Sequence, residues 1–354
     1  MNNKEGAIVN TFIETMTERA KQCPKKVAFP ETGNADILRT AQKTKESGIG
    51  FPVLMGKQEE IEAFAKENGI ATDGFTYYDY TVEENRLALA EEYTAEHDDF
   101  SAKAVARKSK DPLRAALFLL KLHHVDCVAA GKEYSTGDVI FESISIVGMQ
   151  EGVESVSSLG IADIPGFDGP QGAMLGLADC AITAQPDAKD LAGIAISSAD
   201  TVSTLLGWDP RVAMLAFSTC GSSEHESIEV IREAIGIVRG SRPDIKIDGE
   251  FQLDSAIIPQ VAERKVKWES DVAGKANVLI FPNLHAGNIG VKLIQIFGHA
   301  NAYGPVLQGF AQPVCDFSRS APVDEMLGNV AMLVLRAAAE NLAENADNNQ
   351  KSEE

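Results

Sequence analysis

The chain has 354 residues, of which 44% are hydrophobic, and its formal net charge at pH 7 is −20. This length allows a large buried core and favours two domains. The negative charge disfavours nucleic acids and anionic membranes as partners, because their phosphates would be repelled. No run approaches the roughly 18 apolar residues of a membrane span. The N-terminus lacks an export signal, so we expect a cytoplasmic protein.

Short hydrophobic runs with strand character alternate with segments of helical period along the chain. The runs are residues 26–29, 51–55, 125–129, 212–217 and 278–281. This alternation predicts an α/β fold, in which mostly parallel sheets are covered by helices on both faces. The Gly- and Ser-rich stretch 148–172 is the best candidate domain boundary. The acidic tail, residues 341–354, is predicted to be disordered.

The five cysteines are scattered without a CxxC pair, so neither a zinc ribbon nor a disulfide scaffold is indicated. No HExxH motif or Cys/His cluster occurs in the sequence either, and no metal site is predicted. Cys315 is expected to pack or to line a loop, with a reactive thiol as the lesser alternative.

The most informative segment, residues 281–319, contains glycine-bearing turns within otherwise apolar sequence. It holds a glycine-rich loop at 286–290, a second predicted loop at 304–309, and the pair Ser318 and Arg319. Glycines let a backbone approach a ligand closely, and amides at the start of a helix can face an anion. Arginine presents a planar fork that suits a phosphate. The segment therefore predicts a site for an acyl phosphate.

In this order, these segments resemble the phosphate acetyltransferase family, which includes phosphate butyryltransferases. The corresponding family segments read like FP-x-L-x-x-GNI-x-YKL, GP-x-LQG and ND-x-SRG. Further matching segments are residues 178–181, 217–222 and 248–254. The resemblance covers nearly the whole chain and is densest after residue 178.

The resemblance implies two three-layer α/β/α domains with mostly parallel sheets and a cleft between them, an architecture like that of isocitrate and isopropylmalate dehydrogenases. The first domain is implied to be discontinuous, residues 1–147 plus 309–340, and the second to be residues 148–308. A homodimer is also implied, with coenzyme A as a substrate and no bound cofactor. The implied reaction is reversible transfer of an acyl group, acetyl by default, between an acyl phosphate and coenzyme A by direct thiolate attack.

The implied catalytic residues follow the second predicted loop. Arg319 is expected to hold the acyl phosphate, and Ser318 to donate a hydrogen bond to the carbonyl oxygen as charge develops. Family register places the base that deprotonates the thiol on Glu325, and a shift of one residue places it on Asp324. Pro322 is predicted to open a helix, and acids in a first helical turn are also favoured by the helix dipole alone. The choice between the two acids stays open.

Candidate substrate-binding residues come from two parts of the chain. Those of the late segment are His285, Gly287, Asn288, Lys292 and Gln308. Those of the earlier part are Arg114, Lys132, Tyr134, Ser135, Thr136 and Phe141. Packing is the alternative role for Gln308, and a structural role is the alternative for His285.

Two departures from the family pattern bear directly on activity. The pattern H-[ST]-T-A-D-V-L-R corresponds to residues 134–141, so an arginine position holds Phe141, which could instead extend an apolar wall for a longer acyl group. A second family arginine falls near Ala95. Each lost charge-assisted hydrogen bond is worth about 1.5–3 kcal/mol. Arg114 or Lys132 could compensate, or either could be a surface cation.

These losses motivate an alternative function, a catalytically impaired or non-catalytic homologue that acts as a binding or assembly subunit. A decarboxylating dehydrogenase on the same architecture ranks last, because similarity of fold is not evidence of function.

Overall fold

In the computed structural model, the backbone is described for residues 5–353 and the side chains for residues 12–339. The predicted disordered tail, residues 341–354, lies outside the described side chains and stays a prediction. Two compact units form, one from Met1–Gly148 with Phe310–Glu354 and one from Met149–Gly309. None of the described helices is both long and apolar enough to cross a membrane.

The strands in chain order are β1 Lys25–Phe29, β2 Gly50–Met55, β3 Thr76–Tyr78, β4 Cys127–Ala130, β5 Ser157–Asp163, β6 Met174–Ala178, β7 Arg211–Leu215, β8 Lys246–Phe251, β9 Val278–Ile280, β10 Asn301–Gln308 and β11 Val314–Asp316. The helices are α1 Glu5–Ala20, α2 Ala35–Glu46, α3 Gln58–Glu67, α4 Glu83–Glu96, α5 Ala102–Lys108, α6 Pro112–Lys121, α7 Thr136–Ile146, α8 Ala188–Leu206, α9 Glu226–Ser241, α10 Leu253–Ile257, α11 Pro259–Lys265, α12 Leu284–Phe297 and α13 Val323–Glu353.

The first unit is built on a five-stranded sheet in the order β11-β4-β1-β2-β3. Every pairing in it is parallel. All four residues of β4 are buried. Strands of a parallel sheet are covered on both faces, which is why such strands read as continuous apolar runs.

The second unit contains a six-stranded sheet in the order β10-β5-β6-β9-β7-β8. Strand β5 is antiparallel to both of its neighbours, whereas β6, β9, β7 and β8 pair in parallel. The predicted α/β fold with mostly parallel sheets is therefore confirmed, and one edge of this sheet is mixed.

Residues 286–290 form the first turns of α12 and not the loop expected from their glycines. Asn283 caps the helix by accepting a hydrogen bond from the amide of Ala286 at 3.0 Å. A β-carbon at Gly287 would clash with the carbonyl oxygen of Asp179. This glycine therefore allows α12 to pack closely against the segment that follows β6.

Residues 304–309 were also expected to form a loop, but most of them belong to the edge strand β10. The register with β5 shifts between Tyr303 and Val306. Gly304 in the shifted stretch has a positive φ of 102°. A β-bulge at a sheet edge accommodates both a glycine of this conformation and a proline without an N–H group. The Gly-Pro pair therefore marks a bulge.

Candidate active site

Three segments meet at the carboxyl edge of the first unit's sheet, where strands β1, β4 and β11 end. This edge is the usual ligand site of parallel α/β sheets. The carboxylate of Glu31, after β1, accepts hydrogen bonds from the backbone amides of Lys132, Glu133 and Tyr134 at 3.1, 2.7 and 2.9 Å. The segment after β4 is therefore fixed by one buried acid that follows β1.

The ammonium group of Lys132 points at the loop after β11. It donates to the carbonyl oxygens of Arg319 at 3.0 Å and Ala321 at 2.9 Å. It also lies 3.7 Å from a carboxylate oxygen of Asp36. Lys132 thus fixes the loop that carries the Ser-Arg pair, and its charge stays beside that loop.

The Ser-Arg pair itself is exposed. The amide of Phe317 donates to the carbonyl of Ala130 at 2.6 Å, which anchors the start of the loop on β4. The hydroxyl of Ser318 lies 3.1 Å from that of Ser320. Among the side chains described in residues 12–339, none forms a hydrogen bond or ion pair with the guanidinium of Arg319. An anion could therefore bind Arg319 without displacing a protein partner.

Helix α7 begins at the same edge of the sheet. Ser135 caps it by accepting from the amide of Asp138 at 3.1 Å. Thr136 donates its hydroxyl to Asp316 at 2.6 Å. Phe141 lies one turn further on and is 67% exposed. The N-terminal turn of α7 is thus joined to the end of β11.

Tyr134 and Arg114 are engaged with protein acids. The hydroxyl of Tyr134 donates to Asp111 at 2.9 Å. Burial and that neighbouring acid raise the pKa of Tyr134 well above its usual value. Arg114 donates to the largely buried carboxylate of Glu142 at 2.7 Å, and this bond raises the pKa of Arg114. Arg114 therefore neutralises a protein carboxylate instead of offering a free cation.

The structure separates the two candidate bases in the first turn of α13. Asp324 is 79% exposed in its side chain and forms an ion pair with Lys43 at 2.5 Å. Glu325 is also exposed, but it has no ion-pair partner among the described side chains. Partial burial of its carboxyl raises the pKa of Glu325, and the opposing effect of Lys132 does not cancel this. A raised pKa suits a base that works near neutral pH.

Asp316 lies within residues 281–319 but is not among the functional residues predicted from the sequence. Burial raises the pKa of this carboxyl to about 6; the hydrogen bond from Thr136 opposes the shift. Its Oδ1 atom is buried without a hydrogen-bond partner. The sequence signal was its place two residues before Ser318, at the end of a strand.

The late-segment candidates lie in the second unit. His285, Asn288 and Lys292 are exposed on the first three turns of α12. The amide of Asn288 donates to the carbonyl of Cys180 at 3.2 Å. These three side chains therefore share one helix, beside the close-packed Gly287.

Gln308, in contrast, is buried in the interior of the second unit. Its side-chain nitrogen donates to Ser157 at 3.0 Å and Ser198 at 2.8 Å. Its side-chain oxygen accepts from Thr201 at 3.1 Å. These contacts support the packing alternative for Gln308.

The described residues contain no group of three or more His, Cys, Asp or Glu side chains that could hold a metal ion. Two acids that could suggest one, Asp248 and Glu250, bind Arg239 and Arg232 instead. Cys315 is buried, and burial raises the pKa of its thiol far above the usual range. This favours the packing role for Cys315.

An arginine with no partner among the described side chains, placed beside a hydroxyl and a carboxyl at the carboxyl edge of a parallel sheet, is typical of an enzyme that acts on an anionic substrate. A family model described as phosphate acetyl/butaryl transferase matches residues 11–334. The chain belongs to this family, and it is a transferase.

Individual relatives agree with the family match. A phosphate acetyltransferase of Thermoanaerobacterium thermosaccharolyticum is 36% identical over 92% of this chain and 99% of the relative. One of Clostridium acetobutylicum is 36% identical over 92% of this chain and 98% of the relative. The solved phosphotransacetylase of Streptococcus pyogenes is 29% identical, with a TM-score of 0.82 over 93% of this chain and 98% of that structure. The resemblance inferred from the motifs is confirmed.

Proposed function

We propose that this transferase moves an acyl group reversibly between an acyl phosphate and coenzyme A, with Arg319, Ser318 and Glu325 as the residues that carry the reaction. The observation that supports this most strongly is the exposed guanidinium of Arg319, next to Ser318 and without a partner among the described side chains. The test is thioester formation by the purified chain from coenzyme A and acetyl, propionyl or butyryl phosphate.

Arg319 binds the phosphoryl group of the acyl phosphate. Its fork donates two parallel hydrogen bonds to phosphate oxygens and keeps its charge at any working pH. Lys132 holds the backbone of the same loop through two carbonyl oxygens, so the guanidinium starts from a fixed backbone. A preorganised cation of this kind needs little rearrangement during the reaction.

Glu325 takes the thiol proton of coenzyme A. The thiolate sulfur then attacks the acyl carbonyl carbon, and the carbonyl oxygen becomes an oxyanion. Ser318 donates a hydrogen bond to this oxygen. The bond from the acyl carbon to the phosphate oxygen breaks, the carbonyl re-forms, and orthophosphate leaves. In the reverse direction, orthophosphate attacks the thioester.

The alternative of a non-catalytic subunit is not favoured. Relatives that share 36% of their residues over almost the whole chain are named phosphate acetyltransferases. Arg319 is retained and has no competing partner among the described side chains. The altered positions Phe141 and Ala95 therefore bear on substrate preference more than on the presence of activity.

Replacing Phe141 with arginine tests that preference. One restored charge-assisted hydrogen bond is worth about 1.5 kcal/mol, which corresponds to a decrease of about tenfold in the KM of the substrate that it binds. We expect this decrease for coenzyme A or for the acyl phosphate, with little change in kcat. Ile144→Arg is the matched control, because Ile144 is also exposed on α7 and receives the same charge.

An equal fall in KM for both variants would show a general effect of the added charge. It would contradict a specific contact between substrate and the residue at position 141. Initial rates at varied concentration of each substrate distinguish the outcomes, and the substrate whose KM falls identifies the anion concerned.

We also propose that the chain forms a homodimer through one face of α12. Ile289, Leu293, Ile296 and Phe297 recur at helical spacing and are between 49% and 76% exposed. Within the described part of α12, Gly287 is the sole buried residue. A contiguous exposed apolar face of this kind marks an interaction surface.

Phe297→Glu is expected to convert this dimer to a monomer, because it would place two charges in an apolar interface. Light scattering after size-exclusion chromatography measures the mass. Phe51→Glu, at another exposed phenylalanine, is the control and should leave the dimer intact. A monomeric wild-type chain would contradict the assignment of this face.

A cytoplasmic location is part of the same proposal. All five cysteines are free. Free thiols are typical of reducing compartments.

A further inference from the structure

Asp316 occupies an unusual place for a carboxyl group. It ends β11 and precedes the loop of Ser318 and Arg319. One oxygen accepts the hydroxyl hydrogen of Thr136 at 2.6 Å. The other oxygen is buried without a hydrogen-bond partner and lies against Gly131, where even a β-carbon would clash with it. A half-buried carboxylate with one buried, unbonded oxygen is a costly arrangement.

Charged groups lie near this carboxyl on the segments after β1 and β4, on α7 and on its own loop, and Arg336 of α13 acts on the neighbouring Cys315. Glu31, which follows β1, disfavours the ionisation of Asp316. Arg319, in the loop after β11, favours it. Lys132, after β4, is directed at the carbonyls of Arg319 and Ala321. The carboxylate of Asp138, on α7, accepts a hydrogen bond from the hydroxyl of Ser135. Arg319 is therefore the cation that the carboxylate of Asp316 acts upon.

An amide would fill the same space without the cost of a buried charge, so the carboxylate needs a role outside stability. We propose that Asp316 is a positioning residue of the transfer reaction, whose carboxylate couples the loop of Ser318 and Arg319 to the first turn of α7. This inference rests on the proposed function. It concerns a different residue from those that contact substrate.

Protonation of Asp316 removes its attraction for Arg319. Because the pKa of the folded form is about 6, against a usual 3.8, activity should rise with pH through about 6. The stability effect has the opposite sign. The folded state holds the proton more tightly than the unfolded state, so Asp316 costs stability that grows as pH rises from about 3.8 to about 6.

The test compares wild type, Asp316→Asn and Thr136→Val in the full-length protein. We expect Asp316→Asn to lower kcat/KM about tenfold at pH 7.5. It should also remove the contribution of Asp316, near pH 6, from the acidic limb of the pH–rate profile and leave the contribution of Glu325. Thr136→Val removes the hydrogen bond that favours the carboxylate, so it should move that limb to higher pH. A structural role alone would not shift the limb in this way.

Thermal unfolding provides a readout that is independent of activity. Asp316→Asn should melt a few degrees higher than wild type at pH 7.5, by roughly 2–8 °C, and the gain should vanish near pH 4. A lower melting temperature at pH 7.5, or pH–rate profiles of the three proteins that coincide near pH 6, would overturn the inference. A folded wild type without turnover would instead contradict the proposed function. The melting curves would still test whether the carboxylate of Asp316 lowers stability at pH 7.5.

Discussion

Replacing Arg319 with alanine is expected to lower kcat/KM for acyl phosphate at least about 100-fold. Two charge-assisted hydrogen bonds to phosphate, worth about 1.5–3 kcal/mol each, are lost together. The fold should be unchanged, because no described side chain bonds to this guanidinium. Initial rates of thioester formation and a circular dichroism melt measure the two effects.

Two further variants sharpen this prediction. Arg319→Lys keeps the charge and loses the fork, so its kcat/KM should lie between those of wild type and Arg319→Ala. Arg107→Ala, at an exposed arginine of α5, removes an equal charge elsewhere in the first unit and should have little effect. Wild-type rates in Arg319→Ala would refute the phosphate-binding role.

Replacing Glu325 with glutamine is expected to lower kcat by about 10²- to 10⁴-fold, the usual contribution of a positioned general base. Glutamine has nearly the same shape but cannot accept the thiol proton. The raised pKa of Glu325 places its ionisation closer to neutral pH than that of an ordinary glutamate. Activity should therefore fall as pH decreases and Glu325 becomes protonated.

Asp324→Asn is the matched control, because Asp324 is the next residue and pairs with Lys43 at the surface. We expect a change of less than about threefold, in line with a surface ion pair of 0–1 kcal/mol. A larger loss of kcat in Asp324→Asn than in Glu325→Gln would exchange the roles of the two acids. Rates with saturating substrates compare them directly.

The α/β class could be predicted from sequence because buried parallel strands are short apolar runs between helical segments. Residues 26–29 and 51–55 coincide closely with β1 and β2. The edge strand β10 was missed, since its Gly304-Pro305 pair is also a loop signal. The glycines of α12 were misread in a similar way, because a glycine required for helix packing has the same local signature as one in a loop.

The core of the candidate site could be proposed from the Ser-Arg pair, but the residues that support it could not be predicted. Lys132 and the carbonyl of Arg319 are 187 residues apart in sequence. Thr136 and Asp316 are 180 residues apart. Such contacts depend on β4 and β11 being neighbours, and no local pattern specifies that pairing. The ion pair between Arg114 and Glu142 also lacks a local sequence pattern. It leaves Arg114 unavailable as a free cation.

The most direct test is the rate of thioester formation from acetyl phosphate and coenzyme A by the purified wild-type chain, followed by thioester absorbance. Arg319→Ala is the reference for background reaction. We predict turnover by the wild type that is at least about 100-fold above the variant. A folded wild-type protein that forms no thioester from acetyl, propionyl or butyryl phosphate would contradict the proposed reaction.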